Sequence, residues 1–204
     1  MALVLVTLLV LLVGWYFERN NNAQTNIEET AQEVVVTPGL EEGGLNLPIA
    51  EFKDRITRKP FGLYVNPKNS PVSPEVFTGY HTAVDIEYDD VATDVPVYAI
   101  ADGEVVLART ASGYGGVMII KMNTNGTDRS VVYGHLRPSS LPNVGQRVTK
   151  GEQIGVLGTG YTSETDNERR HLHFGVLIDT RIDLKGYVQT ETELSGWIDP
   201  LTLY

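Results

Sequence analysis

The chain has 204 residues, 42% of them hydrophobic, enough for one core of ordinary size with flanking segments. It contains no cysteine, which excludes disulfides, thiolate metal sites and a cysteine nucleophile. A formal net charge of −10, with no run rich in Lys or Arg, argues against a polyanionic partner such as nucleic acid.

Ala2 to Phe17 is apolar apart from Thr7 and Gly14, and it closes on Trp15 and Tyr16, residues suited to a membrane interface. As a helix at ~1.5 Å per residue the run spans about 24 Å, short of the ~30 Å hydrocarbon core. Two readings stand: a short membrane anchor, or a cleaved secretion signal. Against cleavage, no small-x-small site follows closely and no Lys or Arg precedes the run. A buried helix of a soluble domain fits poorly, because no polar face interrupts it. Either leading reading carries the rest of the chain across a membrane. Residues 18–57 read as an acidic, flexible linker. Six Glu against one Arg fall between Glu18 and Ala50, and Pro38, Gly39, Gly43, Gly44 and Pro48 break any long periodicity. As a coil these forty residues would reach about 35 Å. Glu33 to Thr37 alone, with Val34, Val35 and Val36, suggests a strand or helix docked on the domain.

From residue 58 to 204 the texture is that of one mostly β, antiparallel domain. Short β-rich runs recur between turn signals, at 95–99, 103–109, 116–122, 129–133, 153–158 and 172–178. Asn123 to Gly126 reads as a hairpin turn, because Asn-Gly tolerates positive φ. No amphipathic run reaches the length of an ordinary helix, and no internal repeat is present.

All four histidines lie in this domain: His81, His135, His171 and His173. His171 and His173 alternate with Leu172, Phe174 and Val176. On a strand that spacing puts both imidazoles on one face, about 7 Å apart at the backbone. One ring can then bind a metal while the other points at what the metal activates. Imidazole and carboxylate suit zinc where thiolate is absent, and a catalytic zinc site needs three protein ligands and one open position. His81 and Asp85 are candidates for the other two. At the ends of a flat strand they would stand about 13 Å apart, so the chain must bend between them or His81 must precede the strand. Taken singly, each of these residues has an ordinary structural explanation; the combination carries the reading.

The segment Gly79-Tyr-His-Thr-Ala-Val-Asp-Ile86 resembles the His and Asp motif of the lysostaphin/LytM-type zinc metalloendopeptidases. Tyr133-Gly-His-Leu136 and His171-Leu-His-Phe174 resemble that family's two later motifs, in the same order. Pro60-Phe-Gly62, the stretch from Ala99 to Val106 and the stretch from Val144 to Gly158 are similar to its framework, so the resemblance covers nearly all of residues 58–204. It implies a compact antiparallel β domain with an open groove, zinc held by His81, Asp85 and His173, and His135 with His171 as the catalytic pair. It further implies hydrolysis of peptide bonds in peptidoglycan, outside the cytoplasm, with residues 2–17 engaging the membrane.

Three positions depart from the family pattern. Ala83 stands where Gly is usual, and a positive φ there would strain the site by about 1 kcal/mol or more. Arg169 and Arg170 replace a common Gly-Pro pair; they read as a solvated loop, or as cations that draw a carboxylate-bearing stem peptide into the groove. Thr162 to Asn167, with Glu164 and Asp166, makes a long acidic loop expected at the groove rim. Two other readings compete. One is a relative that binds peptidoglycan or activates a hydrolase without catalysis, which would typically lack zinc ligands. The other is a biotinyl/lipoyl-like membrane-fusion adaptor, suggested by 101–106 with 144–154, but residues 107–143 hold no sustained heptads.

Overall fold

The computed structural model describes residues 44–204. The apolar run of residues 2–17 and most of the expected linker lie outside the described residues. Among the described residues no helix is long and apolar enough to cross a membrane.

Among the described residues twelve strands follow one another: β1 Tyr64–Val65, β2 Gly79–His81, β3 Ala83–Glu87, β4 Pro96–Tyr98, β5 Gly103–Ala111 and β6 Gly115–Thr124, then β7 Thr127–Leu136, β8 Arg147–Val148, β9 Gln153–Val156, β10 His171–Leu177, β11 Tyr187–Val188 and β12 Trp197–Ile198. A single turn of helix, α1 Glu191–Leu194, starts at a capping box between Thr190 and Glu193. The main sheet has seven strands in the order β12-β10-β7-β6-β5-β8, with β3 also paired to β10. The sheets β1-β2-β11 and β4-β9 complete the fold, and every pairing is antiparallel. The mostly β, antiparallel expectation is met. Each of the six runs read from sequence overlaps a strand, and the β6–β7 hairpin turns at Asn125 and Gly126, both at positive φ.

Alternation sorts the main sheet into two faces. Met118 and Ile120, Val131 and Tyr133, and Leu172, Phe174 and Val176 point into the larger apolar cluster with Val84 and Ile86. Val117, Ile119, Val132 and Leu177 point the other way, with Tyr114 and Trp197. On β10 and β3 that second face carries His171, His173, Asp85 and Glu87 in place of apolar residues. The register sets His173 opposite Asp85 and His171 opposite Glu87.

Residues 44–57, which the sequence reading gives to the linker, pack on this domain. Leu45, Ile49 and Phe52 are buried in the larger cluster, with Phe52 edge-on to Phe174. Their backbone bonds to it as well, Asn46 N to Ile100 O and Tyr98 N to Pro48 O, both at 2.8 Å. Gly44 and Pro48 break the periodicity of this segment and so hide its apolar residues from a pattern search.

Candidate metal centre and its groove

The bend between His81 and Asp85 falls at Thr82. β2 belongs to the small sheet and β3 to the main one. Between them Thr82 bonds to neither ladder. Its amide donates to Gly186 O and its hydroxyl to Lys185 O. That change of sheet folds the His-x-x-x-Asp segment back on itself, so His81 Nε2 lies 3.2 Å from Asp85 Oδ1. His173 Nδ1 closes a triangle, 3.1 Å from Asp85 Oδ1 and 3.3 Å from His81 Nε2. All three residues are buried.

The donor set fits a small divalent ion. Four-coordinate zinc with bonds of ~2.0–2.1 Å separates neighbouring ligand atoms by about 3.3–3.4 Å, close to the edges of this triangle. The outward nitrogens of both rings are also held. His81 Nδ1 donates to Pro60 O at 3.2 Å, and His173 Nε2 lies 3.3 Å from the Tyr114 hydroxyl. A carbonyl can only accept, so His81 keeps its proton on Nδ1 and turns the Nε2 lone pair toward the triangle. Such partners fix ring and tautomer at metal-binding histidines.

His135 reaches the same face through a β-bulge. Gly116 pairs with Leu136 and Val117 with Gly134, which leaves His135 without a cross-strand partner at φ 61°. Strict alternation would send it into the apolar cluster; the extra residue re-aims it. Its ring centre then sits 4.2 Å from that of His171. Gly134 gives Tyr114 its space, since a Cβ there would come within 2.5 Å of the Tyr114 ring. Both imidazoles of the pair are tied by Nδ1 to backbone carbonyls, His135 to Thr165 O at 3.3 Å and His171 to Arg169 O at 2.9 Å. Each therefore presents Nε2 as its acceptor.

Electrostatics follow from burial and neighbours. Burial opposes charge on Asp85, yet His171, His81 and Arg169 around it outweigh that and hold its carboxyl well below the usual range. Burial pushes the His135 imidazole down to about 3, and it lowers His171 and His173 as well. His135 is thus neutral at physiological pH.

The departures turn out differently from their sequence reading. Arg169 and Arg170 do not form a solvated loop. Arg169 is 4% exposed, and its guanidinium bonds to Glu87 at 2.9 Å and to Asp85 Oδ2 at 2.6 Å. Arg170 is buried and donates to Val91 O. Ala83 is buried in the extended β3 and is absent from the positive-φ positions, so the site carries no strain there. The loop from Thr162 to Asn167 does not line the cavity. It stands behind His135, holding it through Thr165 O, while Asp166 accepts from Gly113 N beside Tyr114.

Sequence reasoning missed the rest of the wall. The cavity, about 290 Å³, is lined by His135, His171, His173, Tyr114, Arg169 and Glu168, and also by Lys59, Phe77 and Tyr187. Lys59 Nζ pairs with Glu75 at 2.6 Å and donates to the Tyr187 hydroxyl at 2.8 Å. Phe77 stacks on Tyr187, whose ring centre lies 5.2 Å from that of His81. A lone Lys before Pro-Phe-Gly and a two-residue strand leave no periodic signal. Only the Gly-Tyr-Gly-Gly turn around Tyr114 offered one, as a place where backbone and ring approach closely.

A β domain brings two imidazoles and a carboxylate together in a cleft, a donor set able to hold a metal ion. The model of peptidase family M23 matches residues 79–184, just over half of the chain, and the chain belongs to that family. Among solved structures it is similar to Csd3 of Helicobacter pylori, at 24% identity over 72% of this chain and TM-score 0.45. It spans 35% of that longer chain. It is also similar to LytU, at 25% identity over 70% of this chain and 79% of that one, with TM-score 0.45. A chain of the SpoIIQ–SpoIIIAH pore forming complex matches at TM-score 0.52 and 19% identity, over 78% of this chain and 90% of that one, a likeness of fold alone.

Proposed function

We propose that this chain is a zinc-dependent endopeptidase that hydrolyses peptide bonds in peptidoglycan. The observation that carries the reading is the triangle of His81 Nε2, Asp85 Oδ1 and His173 Nδ1, with edges of 3.1–3.3 Å, beside the His135 and His171 pair in one cavity. Family membership supports the peptidase class. Zinc bound by these three residues would supply Lewis acidity, polarising the scissile carbonyl and acidifying water. The remaining work falls to the chain. His135 and His171, each with Nε2 as acceptor, take up the proton of the attacking water and return it to the leaving amine. Tyr114 holds His173 by its far nitrogen, so that Nδ1 faces the triangle. Arg169 balances Asp85 and Glu87 and keeps Asp85 ionised as a ligand. The reading places the domain outside the cytoplasm, where peptidoglycan lies; residues 2–17 would anchor it to the membrane or direct its secretion, on sequence grounds alone.

The test is digestion of purified peptidoglycan by the full chain, before and after chelation, with products read by mass and metal content measured. The expected outcome is one zinc per chain, new amine ends, and loss of both on chelation that added zinc reverses. A protein that holds stoichiometric metal and leaves every peptide bond intact would rule the reading out. A non-catalytic relative or an adaptor without zinc ligands would hold no stoichiometric metal.

A further inference from the structure

We propose that Asp166 is a positioning residue of this site: it ties the loop 162–167 to the turn that carries Tyr114, and so fixes the carbonyl that sets the His135 ring. The inference rests on the endopeptidase reading and adds to it a residue that lies outside the cavity wall.

His135 is placed in two steps. The strands set its backbone, through the bulge in β7 and through its carbonyl, which accepts from Gly158 N at 2.9 Å. The loop sets its ring, with Nδ1 donating to Thr165 O at 3.3 Å. That loop is bonded largely to itself. The Thr165 hydroxyl donates to Glu168 O at 2.7 Å, the Thr162 hydroxyl donates to Thr159 O at 2.6 Å, and Glu164 accepts from Thr159 N at 2.8 Å. Such bonds give a loop its shape without fixing its place. Asp166 supplies the place. Its Oδ2 accepts from Gly113 N at 2.6 Å, the one hydrogen bond between residues 162–167 and the turn at 112–115 among the described residues. A carboxylate acceptor makes this bond stronger than one between neutral groups.

The two segments meet backbone on backbone. A Cβ on Gly115, which holds φ 65°, would lie 2.0 Å from Glu164 O and 2.7 Å from Thr165 N. That contact sets the spacing of the two segments and leaves their alignment to the bond at Asp166. The tie also sits where it can act on both halves of the site. Asp166 directly follows Thr165, and Gly113 directly precedes Tyr114, whose hydroxyl lies 3.3 Å from His173 Nε2. One carboxylate thus joins the carbonyl behind the imidazole pair to the phenol behind the metal triangle. The backbone carries a matching demand. Asp166 and Asn167 hold φ 54° and 67°, a region that Asp and Asn enter more readily than other residues bearing a side chain.

Two substitutions separate the tie from the backbone. Asp166→Gly accepts the same φ and removes the acceptor; Asp166→Asn keeps an acceptor oxygen and tolerates the same φ. In the full, zinc-loaded chain, Asp166→Gly should keep one zinc per chain and an unchanged KM on peptidoglycan while kcat falls at least about tenfold. Asp166→Asn should keep most of the rate. Two-bond proton–nitrogen spectra of the imidazoles, with His135 assigned by its loss in His135→Ala, read the ring directly. They should show a proton on Nδ1 alone in the unaltered chain and in Asp166→Asn, and a mixture of tautomers in Asp166→Gly. In the unaltered chain the Gly113 amide should exchange with solvent at least about tenfold more slowly than an unbonded amide. Free exchange of that amide overturns the inference even where Asp166→Gly fails to fold. So does Asp166→Gly with full kcat and a single tautomer, and so does Asp166→Asn as impaired as Asp166→Gly. Each of these leaves the endopeptidase reading standing. Failure of the unaltered, zinc-bound chain to cleave any peptide bond overturns that reading and this inference with it.

Discussion

The donor triangle and the imidazole pair beside it are built by different means. His173 and Asp85 are cross-strand partners in the middle of a ladder, and His81 ends the preceding strand, with Thr82 alone between it and the next. Their positions follow from pleat and register. His135 and His171 also sit on strands, but their ring orientation comes from loop backbone, the carbonyls of Thr165 and Arg169, and His135 needs a bulge besides. A ladder fixes where a side chain starts; a carbonyl on its far nitrogen fixes which nitrogen it presents. Under the proposed function the triangle would hold the metal and the pair would handle protons.

The largest expected effect separates the two. His81→Ala should abolish bound metal and activity together, because two remaining donors cannot close the site. His135→Ala should keep stoichiometric metal while turnover falls about 10²- to 10⁴-fold, the usual worth of a positioned acid or base. Metal analysis alongside single-turnover cleavage reads both. Full turnover by His135→Ala would remove that residue from the mechanism without touching the metal centre.

Next in size is the wall on the side of β2. Glu75 accepts from Lys59 at 2.6 Å and, within its own loop, from the Ser70 hydroxyl at 2.6 Å and the amides of Val76 and Phe77. Glu75→Ala leaves the ammonium of Lys59 buried without its counter-ion, which should cost about 3–5 kcal/mol in urea unfolding. Replacing an exposed ion pair such as Arg181 with Asp179 should cost less than about 1 kcal/mol. Similar costs at the two sites would mean that the Lys59 pair is solvated in solution.

A smaller effect should follow from acid. An unfolded histidine titrates near 6.5, whereas burial holds His135 neutral down to about 3. Between those values the unfolded chain binds more protons than the folded one, so stability falls as pH drops through this window and is unaffected above it. For this one group the loss at pH 5.5 is on the order of 1 kcal/mol. Urea midpoints of chelated protein at pH 7.5 and 5.5, compared with those of His135→Ala, isolate it. Equal pH slopes in the two proteins would show that His135 is solvated in the fold.

What was legible in the sequence divides along the same line as the site. Features with a period or a turn chemistry could be read: His171 and His173 on one face, the Asn125-Gly126 turn, the six strand runs, and the need for a bend between His81 and Asp85. Features made by single long-range partners could not. Arg169 looked solvated because nothing local reveals that it reaches Glu87 and Asp85, over 80 residues away. Glu75 and Lys59 are individually unremarkable charges until the loop between them folds back. Strands of two residues, such as β1, β11 and β12, are too short to carry alternation.

Ala83 gives the finest test of that division, because the sequence argument and the structure predict opposite signs. If the position required positive φ, Ala83→Gly would relieve strain and stabilise the protein. The structure puts Ala83 in extended β3, opposite Gly175, where its Cβ fills the space that the glycine leaves under Trp197. Gly would then gain nothing from the backbone, lose a buried methyl contact and add freedom to the unfolded chain. The expected result is a destabilisation of about 1 kcal/mol, with zinc affinity unchanged, since Asp85 is held by Arg169 and His173 independently of its neighbour two residues back. A higher urea midpoint for Ala83→Gly would restore the strained backbone and place the bend of the His-x-x-x-Asp segment at residue 83, not at Thr82.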